Sequence, residues 1–595
     1  LEATTYRRTQ VRAFSQGRPW ECFGEGLIHT RTHTRTPCIQ DVVTNIDPND
    51  CSKNRSSYDM LFLQGDVHLD PKGGAWKRGY LRCEVDISPE DWFFEGHFKN
   101  DSCMPGTLMF EGCLQAMAFY LTAMGFTNSK DGWRFQPVRN RPYPLLCRGQ
   151  VTPSSKKLVY EIFVEECGGG NNPFLIADLL CTVDGLKAFH ARGMGLELVP
   201  DFPITTMQEL NEKASEPPCA TDRNGFPFDY KAMMASALGR PSDAFGSMYQ
   251  IFDQGRRVAR LPGPPYHFMS RVTLVEGELG RCEIGTTIEL EYDVPKDAWY
   301  FDRNGYRTMP FCVLLEAALQ PCGWLASAVG SVLEETDDLS FRNLDGKGTL
   351  HCEVLPSSGI FKTRVKLTNI SRSAGMIIEA FDVTCYLGET KVYSLQTVFG
   401  FFPEVALKNQ VGLPVSPALR AKFTSEANIA LDLRSQPQKY FQGSLRLADP
   451  MICMIDRVTK FEPSGGDKGL GWLRAEKDVD PSEWFFKAHF FQDPVQPGSL
   501  GIEAMIQLLQ WYMIEIDMAV GLENPRFTSL GLNKKMVWKY RGQVVPENSL
   551  ISTTIDVQEV GEDNIGRFAR ANASLWVDGK RIYEAVDLVV HIVPE

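Results

Sequence analysis

The chain has 595 residues, 43% of them hydrophobic and 23% charged, a composition that fills ordinary cores and excludes wholesale disorder or a fibre. At about one domain per 150 to 200 residues, three or four domains are expected. The 62 basic and 74 acidic residues leave a net charge of -12, which excludes broad non-specific attraction to nucleic-acid phosphates.

The opening stretch, LEATTYRRTQVRAF, lacks the apolar core of a signal peptide. Without an initial methionine it reads as a processed product or a fragment of something longer. Residues 1–37 read as lead-in chain or the edge of an upstream unit. Their FSQGRPWECFGEG has a relative in FGSMYQIFDQGRRVARLPGPPYHFMSRV at 245–272. The 16 cysteines are scattered and adjoin apolar residues, as at Cys113, Cys181, Cys312 and Cys322. They lack repeated CxxC spacing, so a reducing cytoplasm is the simpler setting and zinc is poorly supported. No run approaches 18 apolar residues, and no membrane span is expected.

The chain repeats itself. Residues 92–111, WFFEGHFKNDSCMPGTLMFE, return at 484–503 as WFFKAHFFQDPVQPGSLGIE. A weaker copy at 299–316 reads WYFDRNGYRTMPFCVLLE; aligning Pro310 and Glu316 with Pro105 and Glu111 puts Asp302 at the histidine position and Phe311 at the glycine. The flanks recur too. CRGQVTPSSKKLVYEIFVEE at 147–166 and YRGQVVPENSLISTTIDVQEV at 540–560 read as strands. CTVDGLKAF and LWVDGKRIYEAVDLVV carry Asp-Gly steps suited to hairpin turns. Gly65, Asp66 and His68 read as a turn without catalytic role. The FRNLDG segment at 341–346 (Arg342, Asn343, Asp345, Gly346) reads by default as an exposed hairpin, with interface or substrate-channel work as the alternative.

After each proline comes one long apolar segment: TLMFEGCLQAMAFYLTAMG, CVLLEAALQPCGWLASAVG and SLGIEAMIQLLQWYMIEIDM. Length and Leu, Ala, Met and Gln content make these helices. Pro321 is expected to bend or shorten the middle one, whereas Pro105 and Pro497 sit at tolerated helix starts. The expected organisation is a lead-in at 1–37, a first unit at 38–205, a linker at 206–239, a degenerate unit at 240–405, a linker at 406–434 and a last unit at 435–595.

HFKNDSCMPGTLMFEGCLQAMAFYL and HFFQDPVQPGSLGIEAMIQLLQWYM resemble the core of the hot-dog-fold β-hydroxyacyl-ACP dehydratases. Within that family they are most similar to the tandem dehydratase domains of polyunsaturated fatty acid synthases. The resemblance implies an α+β chain of tandem hot-dog folds, each a curved antiparallel sheet wrapped around a central helix. Hot dogs of this family work in pairs, a histidine of one facing the acidic residue on its partner's helix. Carried over by position, His97 and His489 are the catalytic histidines, and Glu111 and Glu503 occupy the acidic positions. Glu316 keeps that position in the copy that lacks the catalytic histidine and has Asp302 in its place.

The implied reaction is dehydration of (3R)-hydroxyacyl-ACP to trans-2-enoyl-ACP during polyunsaturated fatty acid synthesis. Trans-2/cis-3 isomerisation in one unit stays open, because family units with that ability commonly carry aspartate where both intact copies here carry glutamate. No cofactor and no metal are implied. The substrate is tethered through the phosphopantetheine of an acyl carrier protein, and the implied partners are that carrier, other domains of a multienzyme synthase and a second copy in a homodimer. Short glycine runs at 73–74 and 168–170 lack the setting of a dinucleotide fingerprint and read as loops. The alternatives are a hot-dog thioesterase or hydratase, or a non-catalytic acyl-carrier scaffold.

The residue chemistry suits dehydration. A neutral histidine can accept the Cα proton, and a glutamate kept protonated by burial can donate to the departing hydroxyl. Gly106 and Gly498, opening their helices, are oxyanion-hole candidates for the thioester oxygen, and Phe311 would obstruct that approach in the middle copy. Two pairings are open. Units one and two can form a double hot dog, with His97 facing Glu316 and His489 left to Glu503 across a homodimer. Alternatively units two and three pair, Glu316 serves His489, and unit one needs another partner. The first is expected, because both its units are complete in the chain.

Overall fold

The computed structural model describes residues 4–6, 62–63, 66–98, 100–127, 130, 133–170, 172–200, 217–253 and 256–594. The chain divides into two compact units, Leu1–Asp201 and Phe202–Glu595. Most of the 1–37 lead-in lies outside the described residues. Its Thr4–Tyr6 (β1) is a short strand at the edge of the first unit's sheet.

In the first unit, eight antiparallel strands surround one helix. The strands are β1, Asp66–Asp70 (β2), Tyr80–Asp86 (β3), Trp133–Pro137 (β4), Leu145–Cys147 (β5), Lys157–Gly168 (β6), Phe174–Val183 (β7) and Leu186–Pro200 (β8). They are ordered β1-β2-β3-β6-β7-β8-β4, with β5 also on β8. The helix, Gly106–Ala123 (α1), buries Met109, Cys113, Met117 and Tyr120 against alternate residues of β6 and β7. Asp66 and His68, expected in a turn, lie in β2, where the buried Val67 and Leu69 set the alternation of a strand. Gly65 lies outside the described residues. The Asp-Gly hairpins form as expected: Asp184 and Gly185 have φ of 48° and 81°, Asp578 and Gly579 of 47° and 79°.

The second unit holds two copies in one continuous sheet of 14 strands. The middle copy, which has Asp302 in place of the motif histidine, contributes Arg271–Glu276 (β9), Thr287–Asp293 (β10), Leu339–Leu350 (β11), Ile360–Ser373 (β12), Met376–Leu387 (β13) and Thr390–Pro403 (β14). The last copy contributes Leu431–Asp432 (β15), Arg457–Glu462 (β16), Trp472–Asp478 (β17), Pro525–Phe527 (β18), Lys535–Tyr540 (β19), Leu550–Glu562 (β20), Arg567–Val577 (β21) and Lys580–Pro594 (β22). Each copy wraps its own helix, Phe311–Ala328 (α2) and Gly498–Glu515 (α3), and one hydrophobic core spans both.

The copies join where β11 pairs antiparallel with β19, from Asp345 opposite Lys539 to Thr349 opposite Lys535. This overturns the expected pairing of units one and two. The side chains explain the seam. Gly346 lies opposite Trp538, and a Cβ there would sit 2.0 Å from the indole. The Trp538 indole N–H donates to Asn343 Oδ1 at 2.9 Å, and Arg541 reaches Asp345 at 2.9 Å. FRNLDG is therefore an interface segment and not an exposed hairpin.

Pro321 does not shorten its helix: α1, α2 and α3 all run 18 residues. A helical proline lacks the N–H that would bond the carbonyl four residues back, and here the Thr363 hydroxyl donates to that carbonyl, Ala317 O, at 3.4 Å. By length and composition α2 could span a bilayer, yet all of it is buried inside the unit.

The RGQV segments, expected as strand, form loops beyond β5 and β19. Their valine carbonyls accept the amide of the residue preceding each helix-starting proline, Met104 to Val151 at 2.8 Å and Gln496 to Val544 at 2.9 Å. Met309 to Val354 at 2.8 Å repeats the contact in the middle copy. Within the stretch read as a linker at 206–239, Phe228 packs edge-on against Trp324 at 5.0 Å and a helix covers Tyr230–Leu238. Within 406–434, Phe423 stacks on Trp576 at 4.0 Å.

Candidate active site

His489 follows the short helix Trp484–Ala488, whose Phe485 and Phe486 are buried. Its Nδ1 lies 2.9 Å from the Val495 carbonyl, and the Val495 amide donates back to the His489 carbonyl at 2.8 Å. A carbonyl can only accept, so the neutral ring carries its proton on Nδ1 and keeps the Nε2 lone pair. Burial pushes the imidazole down to about 3, so it is neutral at ordinary pH. His97 repeats this arrangement in the first unit, with Nδ1 2.9 Å from the Cys103 carbonyl.

Glu316 projects from α2 of the middle copy. It is 6% exposed, and burial raises its carboxyl to about 7 against the hydrogen bonds of Ser499 and Gln320. Ser499 Oγ, from α3 of the other copy, donates to Glu316 Oε1 at 2.8 Å. The Tyr266 hydroxyl lies 3.1 Å from the same Ser499 Oγ. Gln320 Nε2 donates to Glu316 Oε2 at 3.4 Å, and its Oε1 accepts the Phe268 amide at 2.9 Å, which fixes the amide orientation.

His489, Glu316, Gly498 and Ser499 line one cavity. Its walls continue along α2 past Leu319 and Gly323 to the stacked rings of Phe341 and Phe399. Gly498 opens α3 after Pro497 without a side-chain cap, and its amide has no intrahelical acceptor. A Cβ at Gly498 would lie 2.7 Å from the Tyr540 ring, so the helix end sits against that ring only as glycine.

The reciprocal half has Asp302 and Phe311 in place of the histidine and the helix-opening glycine. Asp302 is exposed, and the adjoining Arg303 pairs with Asp449 at 3.1 Å. Phe311 is fully buried, 5.8 Å from the Tyr393 ring. Glu503, expected opposite His489 in a homodimer, instead accepts the Cys312 amide in the first turn of α2 at 3.3 Å. Burial holds it near 7, against the hydrogen bonds of Cys312 and Gln507. In the first unit, Gln115 Nε2 donates to Glu111 Oε1 at 3.1 Å, and burial raises the Glu111 carboxyl. A Cβ at Gly106, opening α1, would meet Cys147 Sγ at 2.8 Å.

The glutamines were legible but unused: all three helices read Glu-x-x-x-Gln, as Glu111/Gln115, Glu316/Gln320 and Glu503/Gln507. Gln543 repeats Gln150 of the first RGQV, Ser499 stands where the first copy has Thr107, and Arg342 lies in FRNLDG, whereas Tyr266 carries no repeat signal; the roles of all four at the site enter only through space. Among the described residues no group of three or more His, Cys, Asp or Glu side chains is placed to hold a metal.

Residues 55–192 and 447–586, the first and last copies, each match the FabA-like domain. The first and last copies are hot-dog-fold domains related to the FabA-like domain. A polyunsaturated fatty acid synthase polypeptide of Thraustochytrium sp. (strain ATCC 26185 / S-3) is 25% identical over 669 aligned residues, which cover 90% of this chain and 44% of that protein. The chain thus spans less than half of this curated relative. Among solved structures, the dehydratase domain from the CurJ module of curacin polyketide synthase aligns at 10% identity and a TM-score of 0.33, over 54% of this chain and 97% of its own. The tesB protein of Mycobacterium avium subspecies paratuberculosis aligns at 14% identity and 0.31, over 53% and 96%. Both scores are too low to bear on activity. Related FabA-like hot dogs and the buried His/Glu cavity together suit dehydratase- or thioesterase-type chemistry on acyl intermediates.

Proposed function

We propose that the second unit is a 3-hydroxyacyl thioester dehydratase with one site assembled from two copies, His489 from the last and Glu316 from the middle copy, which lacks the motif histidine. The shared cavity carries this reading: it brings a neutral imidazole and a carboxyl kept protonated by burial to one space. The thioester carbonyl takes the free amide of Gly498, where the helix end favours negative charge. Nε2 of His489 removes the Cα proton, and the released pair forms the Cα–Cβ double bond. The Cβ–O bond breaks as Glu316 hands its proton to the departing hydroxyl, which leaves as water. The proton on His489 then returns to the Glu316 carboxylate through water. Ser499 and Gln320 hold that carboxylate in place throughout.

The relation to a polyunsaturated fatty acid synthase polypeptide supports (3R)-hydroxyacyl chains on an acyl carrier protein as substrate and trans-2-enoyl-ACP as product. It also supports other synthase domains as partners. Trans-2/cis-3 isomerisation would use the same imidazole to take a proton from Cγ of the enoyl product and return one to Cα. In the first unit, His97, Glu111 and Gly106 are the corresponding groups, and a second hot dog is needed to complete their site. Glu503 serves as an anchor for the α2 terminus.

Mass spectrometry of a 3-hydroxyacyl-ACP series tests the reading in wild type, His97→Ala, His489→Ala, the double variant and Glu316→Gln. Loss of one water mass, abolished only when both histidines are removed, is expected, and Glu316→Gln should copy His489→Ala. Release of free acid would point to a thioesterase, and carrier binding without turnover to a scaffold.

A further inference from the structure

We infer that Arg342, from the middle copy, is a positioning residue for His489, gripping the imidazole's loop through Asp493. This rests on the dehydratase reading and adds to it a residue that touches none of the reacting groups assigned above.

The grip is specific. Arg342 Nη1 and Nη2 bond Asp493 Oδ2 and Oδ1 at 2.8 and 2.7 Å, and Nε bonds Gln543 Oε1 at 2.9 Å. Nη1 also reaches the Phe341 carbonyl at 2.9 Å, so every guanidinium nitrogen is engaged. The two side chains are only 11% and 23% exposed. Such a two-pronged pair fixes geometry as well as charge, and a lysine cannot reproduce it.

Asp493 belongs to the loop that presents the imidazole. Phe490 and Asp493 exchange amide-to-carbonyl bonds of 3.1 Å in both directions, inside the His489–Val495 pair of 2.8 and 2.9 Å. The guanidinium lies 5.8 Å from the Phe490 ring, whose centroid is 3.6 Å from that of the imidazole. Any displacement of Asp493 is therefore passed to the ring that must meet the substrate. Other charges around this loop are Arg257, donating to the Gln492 carbonyl at 3.2 Å, and Arg260, 5.7 Å from the Phe491 ring. Neither reaches both the aspartate and the cavity.

The reciprocal half is an internal control. Counting back from the helix-starting proline, Tyr306 stands where Asp493 stands, as Asp302 stands for His489. The Tyr306 hydroxyl bonds the Ser444 carbonyl at 2.9 Å, and Arg526 pairs with Glu353 at 2.9 Å. The reciprocal loop is tied to the last copy by a different, more exposed pair, Arg303 with Asp449 at 3.1 Å, so the two-pronged grip on the residue four before the helix-starting proline belongs to the half that holds His489.

The test uses the full chain with His97→Ala, so that turnover reports the His489 site alone. Arg342→Ala is expected to lower kcat by about tenfold to a hundredfold with KM within about threefold, as misplacement of a reacting group does. Methylguanidinium should restore kcat in Arg342→Ala, methylammonium should not, and neither should act on Arg342→Ala/Asp493→Ala, which lacks the carboxylate that would hold it. Asp493→Asn should reproduce the kcat loss should Arg342→Ala fold poorly. Wild-type kcat in Arg342→Ala, a loss that only tracks the unfolded fraction, or absence of rescue would overturn the inference. His489→Ala separates the two readings: if it keeps turnover, the dehydratase assignment fails, and if it loses turnover while Arg342→Ala keeps it, only the grip fails.

Discussion

Ser499 Oγ donates to Glu316 Oε1 at 2.8 Å across 183 positions of sequence, from the second residue of one copy's helix to the carboxylate of another's. The matching contact on the other side runs from the Cys312 amide to Glu503. The pair shows how two repeats of one pattern have become unequal halves. On one side a hydroxyl steadies the carboxyl and leaves the α3 terminus facing the cavity. On the other the carboxyl group itself is taken up by the α2 terminus, where the helix end presents free amides.

That inequality separates two otherwise similar glutamates. Glu316→Gln should cost about a hundredfold to a thousandfold in kcat at the His489 site, the range for loss of a general acid. Glu503→Gln should leave kcat within about twofold, since an amide oxygen still accepts the Cys312 N–H. Turnover of both variants in the His97→Ala background checks this.

The acid must be protonated to work, and burial holds Glu316 near 7. In the His97→Ala background kcat/KM should therefore fall as pH rises through about 7. His489 is pushed down to about 3, so no acidic limb is expected near the ordinary histidine value. A profile flat to alkaline pH would count against Glu316 as the proton donor.

Glu503 makes a stability prediction with a definite sign. Its folded carboxyl titrates near 7 against an ordinary 4.5, so between those values the folded state holds a proton that the unfolded state has lost. Stability falls as pH rises through that window, by on the order of 3 kcal/mol. Glutamine has nothing to titrate. Glu503→Gln should thus gain on wild type in unfolding midpoint between weakly acidic and weakly alkaline pH, measured by denaturant titration on either side of the window.

The unbroken α2 makes another. Thr363→Val should cost about 1 kcal/mol, because the Ala317 carbonyl loses its donor beside Pro321. In a Pro321→Ala background the restored backbone N–H can serve that carbonyl, and the cost of Thr363→Val should shrink. Equal costs in both backgrounds would show that the hydroxyl does not compensate for the proline.

The repeats of His97, Pro105 and Glu111 at His489, Pro497 and Glu503 made three helices, their starts and the hairpin turns legible, because these follow from local spacing and backbone preference. The sequence also marked Asp302 and Phe311 as losses. Its strand reading failed at RGQV, where a loop carbonyl pins the helix entrance, and its expectation for Pro321 failed because Thr363 lies on a strand far along the chain.

By itself, then, the sequence determined which residue types the copies offer at the repeated positions: two histidines, three helix glutamates and two helix-opening glycines. Only the tertiary structure decided which of them meet. Partner choice depends on the fit of one strand edge to another, here Gly346 under Trp538, and on the grip of Arg342 on Asp493. Those contacts join residues 151 positions apart for Arg342 and Asp493 and 192 for Gly346 and Trp538, and no local pattern records them. The copy without the motif histidine therefore reads as decayed in sequence, while in space it supplies a carboxyl to the cavity that His489 lines.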